Sequence, residues 1–116
     1  MTDIQREMET LVGNFHFRKL YDWLEAQPDD FIAFQSTVFH CPLAKYFQAQ
    51  SKRNECYLIQ GHALRSRSDY FDLGDCLSDF YCDFDLHDFG HEGPISKQEL
   101  LSFVAPYAEE EERKCS

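Results

Sequence analysis

Four prolines divide this chain, and their positions limit what it can fold into. Proline lacks a backbone donor and clashes with the helical turn before it, so it opens or ends helices far more readily than it sits inside them. Pro28, followed by Asp29 and Asp30, closes the first segment, because the residue before a proline avoids helical angles. In His40-Cys41-Pro42 the proline stands where a helix opens, a position at which its missing N–H costs nothing. Gly93-Pro94 reads as a turn feeding a helix, and Pro106 as the stop of that helix.

The segments between these marks show clear periodicities. In "TDIQREMETLVGNFHFRKLYDWLEAQ", Leu20, Trp23 and Leu24 recur at i, i+3 and i+4, with Phe17 one turn earlier, as an amphipathic helix requires. Gly13-Asn14 is placed to break this stretch into two helices. "FIAF" (31–34) is short, apolar and β-prone, and reads as a strand. Leu43, Tyr46 and Phe47 form the inner face of the helix opened by Pro42. "ECYLIQGHAL" (55–64) reads as a second strand, antiparallel to or beside the first. "SDYFDLGDCLSDFYCDF" (68–84) carries the strongest helical pattern, and "ISKQELLSFVAPY" the last one. The expected fold is α+β: four or five helices packed around a small sheet of two or three strands, a single domain over residues 1–108. Residues 109–116 read as an acidic, solvated tail.

Charge is unevenly placed. The net charge is −10; residues 1–58 carry eight acids against six bases, and residues 59–116 thirteen against five. Such a surface disfavours direct binding to nucleic acid or to anionic lipid, because phosphate recognition needs Lys and Arg. No run approaches the ~20 apolar residues of a membrane span, and no basic-then-apolar leader opens the chain. Five cysteines, Cys41, Cys56, Cys76, Cys82 and Cys115, are an odd number at irregular spacings with no CxxC pair, which fits free thiols in a reducing, cytoplasmic setting. Eleven Phe, six Tyr and one Trp exceed what an ordinary core needs, so some are expected at a partner surface.

Three constellations could carry chemistry. "HEGPISKQEL" (91–100) reads like the second half of an EF-hand loop with Glu99 at position 12 and Asp88 at position 1. That alignment places Gly90, which has no side chain, at a ligand position and Pro94 at another. Ser96-x-x-Glu99 ahead of an apolar run is instead a capping box, with Ile95 set to pack on Leu100. The cap explains more of the residues than calcium does.

The second constellation is acidic. Asp69, Asp72, Asp75, Asp79 and Asp83 are spaced 3, 3, 4 and 4, which on one helix confines them to a sector of roughly 120° over ~21 Å. Asp85, Asp88 and Glu92 extend the run, and no Lys or Arg interrupts it between Arg67 and Lys97. Two readings stand: a solvated helix face, or a nucleic-acid-like stripe that occupies a basic groove of another protein, with Tyr70 and Tyr81 as anchors. Like charges at i, i+4 cost stability, which favours a purpose beyond solvation.

The third is a set of thiols and imidazoles. Cys41 falls at a helix N-cap, where the dipole favours thiolate, with His40 or a distant histidine as base, although cysteine is more often simply buried. Cys82, His87 and His91, with Asp83 or Asp85, have ligand chemistry for a metal, against which Gly90 and Gly93-Pro94 interrupt the helix that would align them. There is no Gly-rich phosphate loop, GxSxG or HExxH, and no cofactor is implied.

Cys41-Pro42-Leu43-Ala44 followed by an aromatic pair, and Gly93-Pro94-Ile95-Ser96 at the last helix, resemble a loose group of small bacterial, cyanobacterial and phage proteins. The resemblance spans about residues 20–105 and implies the helix–strand architecture and a mobile-element setting; it brings no activity and no catalytic residues. The expectation is therefore a non-enzymatic acidic binding protein, an inhibitor of a nucleic-acid-handling host protein through that protein's basic surface. A thiol- or metal-dependent enzyme or sensor at Cys41 or Cys82/His87/His91 is the alternative, and a homodimer burying the surplus aromatics is the third reading.

Overall fold

Each helix entrance is built from its own local chemistry. The computed structural model describes residues 2–115. Helix α1 (Asp3–Gly13) starts from a capping box in which Thr2 Oγ1 accepts from Gln5 N and the Gln5 side chain accepts from Thr2 N. It ends at Gly13-Asn14, and α2 (Phe17–Glu25) follows, burying Phe17, Leu20 and Leu24. Helix α3 (Pro42–Gln50) has Cys41 as its N-cap, whose sulfur accepts from Ala44 N at 3.4 Å, and Pro42 at its opening. At Ser96 the capping box is complete: Glu99 N donates to Ser96 Oγ at 3.2 Å, and Ser96 N donates to Glu99 Oε1 at 3.1 Å. Ile95 and Leu100, on either side of that cap, are fully buried in the same core.

The strands differ from expectation in number and pairing. Strand β1 (Ile32–Ala33) pairs antiparallel with β5 (Ile95–Ser96), Ala33 opposite Ile95. The run 55–64 is not one strand. Gly61, with φ +62, begins a two-residue turn, so β2 (Leu58–Gln60) folds back onto β3 (Ala63–Arg65) as a hairpin. A third strand, β4 (Tyr70–Asp72), adds to β3 with Leu64 opposite Phe71. Among the described residues there are thus two small antiparallel sheets, β1-β5 and β2-β3-β4, rather than one, and the fold is α+β.

Helix α4 is Asp75–Leu86, not 68–84. Gly74 precedes it with φ +82, a backbone angle that no helix passes through, so the aromatic pair Tyr70-Phe71 is free to pair as strand. The apolar spacing of Leu73, Leu77, Phe80 and Phe84 is real, and all four are buried, yet Leu73 reaches the core from outside the helix.

Pro106 does not stop the last helix either. Helix α5 (Lys97–Cys115) runs through it. A proline inside a helix loses a hydrogen bond and costs about 3 kcal/mol. Here Val104 and Ala108 are buried on either side of it, and α5 lies along α2 in the most extensive helix contact of the fold. Tertiary packing wins. Residues 109–114 therefore continue the helix, mostly exposed, except that Glu111 turns back onto α2. Ser116 lies outside the described residues. One hydrophobic cluster joins all five helices with β1, β2, β3 and β5.

Candidate interaction face on helix α4

Helix α4 is held at both ends by contacts that leave its outer face open. At its start, Asp72 Oδ1 accepts from Gly74 N at 2.8 Å, and Asp75 lies in the first turn, where a carboxylate meets the positive end of the helix dipole. At its end, Gln35 Nε2 donates to the carbonyls of Phe84 (2.8 Å) and His87 (2.7 Å), which satisfies acceptors the helix leaves over. Asp85 accepts from Ser36 N at 2.9 Å and fixes the same loop. Leu77, Phe80 and Phe84 anchor the inner face.

The acidic residues therefore separate into groups. Asp69 precedes β4 and accepts from Thr2 Oγ1 at 3.2 Å, and Asp72 is the turn residue just described; neither lies on the helix. The five-carboxylate stripe is thus corrected to three: Asp75, Asp79 and Asp83, spanning about 12 Å of axis at ~1.5 Å per residue. Their spacing of ~6 Å is nearly twice the ~3.4 Å between phosphates along one DNA strand. Among the described residues, Asp75 and Asp79 make no side-chain hydrogen bond or ion pair, while Asp83 Oδ2 accepts from Tyr107 Oη at 2.8 Å. Burial, reinforced by Asp83, raises the Tyr107 pKa, so the phenol stays a donor.

The two tyrosines also part. Tyr70 is 65% exposed on β4, with the Arg65 guanidinium 6.0 Å from its ring centroid, so it is open to solvent but off the helix. Tyr81 packs against the core, and burial, with Asp85 beside it, pushes its phenol up to about 12; it is a supporting residue rather than an exposed anchor. Pattern reading overlooked Leu86, which is 85% exposed. At ~100° per residue it falls in the same sector as Asp75, Asp79 and Asp83, together with exposed Cys82. Its signal in the sequence was a leucine outside the apolar seam of the helix.

The thiol and imidazole groups are dispersed. Cys41 is fully buried as a helix cap, and burial pushes its thiol up to about 12, so the thiolate a nucleophile needs is suppressed. His40 stands edge-on to Phe34. His87 packs against Phe89 and Phe103, whereas His91 binds Glu99 through Nε2 at 2.7 Å. The hydrogen bond to Glu99, joined by the Glu92 carbonyl, raises the His91 pKa. Among the described residues no three His, Cys, Asp or Glu side chains gather as a metal requires. The two ends of the supposed calcium loop are spent locally, Glu99 on its cap and Asp88 on Gly90 N. No helix among the described residues is long and apolar enough to cross a membrane.

Comparison with known proteins returns no family model, no curated protein and no solved structure that matches this chain.

Proposed function

We propose that this chain is a small non-enzymatic binding protein that docks the outer face of α4 on a basic surface of another protein, and inhibits that protein by covering the surface. The observation that carries the reading is Leu86, an almost fully exposed leucine in file with three carboxylates. A face kept only for solubility has no use for it, whereas a protein interface combines an apolar anchor with a charged surround. The carboxylates steer association and set the register, and the leucine supplies desolvation. A groove that otherwise holds nucleic acid is the class of partner surface favoured, since it presents cations in a line to a helix that presents anions in one. The wide carboxylate spacing makes this recognition by charge and shape rather than a phosphate-by-phosphate copy.

The test is capture of partners by immobilised protein, repeated with Asp75→Lys/Asp79→Lys/Asp83→Lys and, separately, with Leu86→Asp. All four side chains are exposed, but Asp83→Lys gives up the hydrogen bond from Tyr107, so circular dichroism checks the fold of each variant and Asp79→Lys alone, which touches no bonded carboxylate, is read beside the triple variant. The triple variant should lose the partner, and Leu86→Asp should weaken it by about tenfold or more, as for a central apolar anchor. Raised salt should release the partner from the native chain. Undiminished capture by the triple variant would falsify the reading.

A further inference from the structure

We propose that the groove between the end of α4 and the middle of α5 receives an arginine side chain of the basic partner. This rests on the α4 reading and names what the partner inserts beside that face. The groove has a volume of about 550 Å³ and is open to solvent. Its wall is aromatic: the Phe103 ring centroid lies 5.0 Å from His87, 5.9 Å from Phe89 and 5.6 Å from Tyr107. This chain buries Phe47, Tyr57, Phe80 and Phe84 completely, yet leaves all four of these rings partly or wholly accessible. An accessible aromatic wall attracts a cation through the ring quadrupoles.

The charged side chains that line the groove are Asp88 and Glu99, with no Lys or Arg. Glu99 is already paired with His91 and with the Ser96 backbone, and Asp88 Oδ1 accepts from Gly90 N, so among the described residues Asp88 Oδ2 is the lining carboxylate oxygen left without a partner. An anionic ligand is repelled there and a cation is drawn in. The backbone adds a third element. Ser102 and Pro106 both line the groove, and because Pro106 has no N–H, the Ser102 carbonyl lacks its regular i+4 donor. A guanidinium answers all three features at once: its flat face stacks on a ring while its in-plane N–H groups reach carboxylate and carbonyl. A lysine ammonium, a compact and strongly hydrated point charge, answers only the second well.

A titration of the protein with hexa-arginine and hexa-lysine peptides, followed by amide chemical shifts at about 0.15 M salt, tests this. The arginine peptide should shift the amides of residues 87–89, 102–105 and 107, and should bind about threefold more tightly than the lysine peptide. Phe103→Leu keeps an apolar side chain but removes the ring, and should abolish that preference. Ser102→Lys, at an exposed position, should remove the groove shifts without perturbing the core. Equal affinities for the two peptides, or shifts confined to the outer face of α4, would overturn the groove assignment while leaving the α4 reading in place. Absence of binding by either peptide would overturn both.

Discussion

Asp79 on α4 and Glu111 on α5 line one recess beside Phe17 and Tyr107, and they do opposite work. Glu111 accepts from the backbone of Phe17 at 2.9 Å and of Arg18 at 3.3 Å, closing the N-terminus of α2, which His16 leaves without a side-chain cap. Its neighbour Glu112 pairs with Arg18 at 2.6 Å. The Asp79 side chain makes no hydrogen bond or ion pair among the described residues. The acidic end of α5 is thus part of the fold, while the acidic face of α4 is available to something else. Equal density of carboxylates in a sequence says nothing about which of these it will be.

The comparison can be broken by substitution and by pH. Glu7 is the most strongly committed acid, accepting from Ser51 Oγ and Tyr57 Oη at 2.6 Å each and from Lys52 N at 3.1 Å. Glu7→Ala strands the hydroxyl of buried Tyr57, and should cost about 2–3 kcal/mol in chemical denaturation. Burial acts to raise the Glu7 pKa, but the bonds from Ser51, Tyr57 and Lys52 outweigh it and leave the pKa lowered. A lowered carboxylate contributes stability above its ordinary value of 4.5 and loses it as pH falls through the folded value, so Glu7→Gln should flatten the acid limb of the stability curve.

Glu111→Ala should cost about 1–2 kcal/mol, read from the same denaturation curves, because two backbone donors at a helix start lose their acceptor. Glu111→Gln should recover part of this loss.

The α5 entrance gives a smaller effect with a defined window. The raised pKa of His91 makes its contribution full below its ordinary value of 6.5 and lost as pH rises through the folded value. Glu99 is lowered, by the Ser96 backbone first and His91 second, so its contribution is present above 4.5 and lost as pH falls. Both act together between those two values. The melting temperature of His91→Gln should therefore lie furthest below that of the native chain near pH 5.5, and converge with it by pH 8.5.

Asp79→Asn should change stability least, within about 0.5 kcal/mol, while still weakening partner capture. A destabilisation as large as that of Glu111→Ala would place Asp79 among the acids that hold the fold.

What could be read in the sequence was what depends on neighbours three or four residues apart. Ser96 with Glu99, Cys41 with Pro42, and the stripe of Leu20 and Leu24 all describe one helical turn and its immediate cap, and each is found where its spacing put it. What was misread depends on contacts between distant segments. Tyr70-Phe71 looked helical because Leu73 continues the seam of α4, and only the pairing of Phe71 with Leu64 decides otherwise. Pro106 looked like a stop because the packing of α5 on α2 has no local signature. Glu111 looked like tail because the backbone N–H groups that donate to it lie 94 and 93 residues earlier. At the candidate face, Asp75, Asp79 and Asp83 were legible as a periodic set, whereas the loss of Asp69 and Asp72 followed from Gly74 and the exposure of Leu86 from the way α4 is seated.

The pairing of β1 with β5 also sets an order of events. Ala33 takes its strand partner from Ile95, and the start of α2 takes its cap from Glu111, so two early elements are completed by residues from the last quarter of the chain. Such distant closures slow folding and hold the apolar sides of α2 and α3 open in the nascent chain. The contacts that complete β1 and the start of α2 therefore require residues 95–111, which are synthesised last.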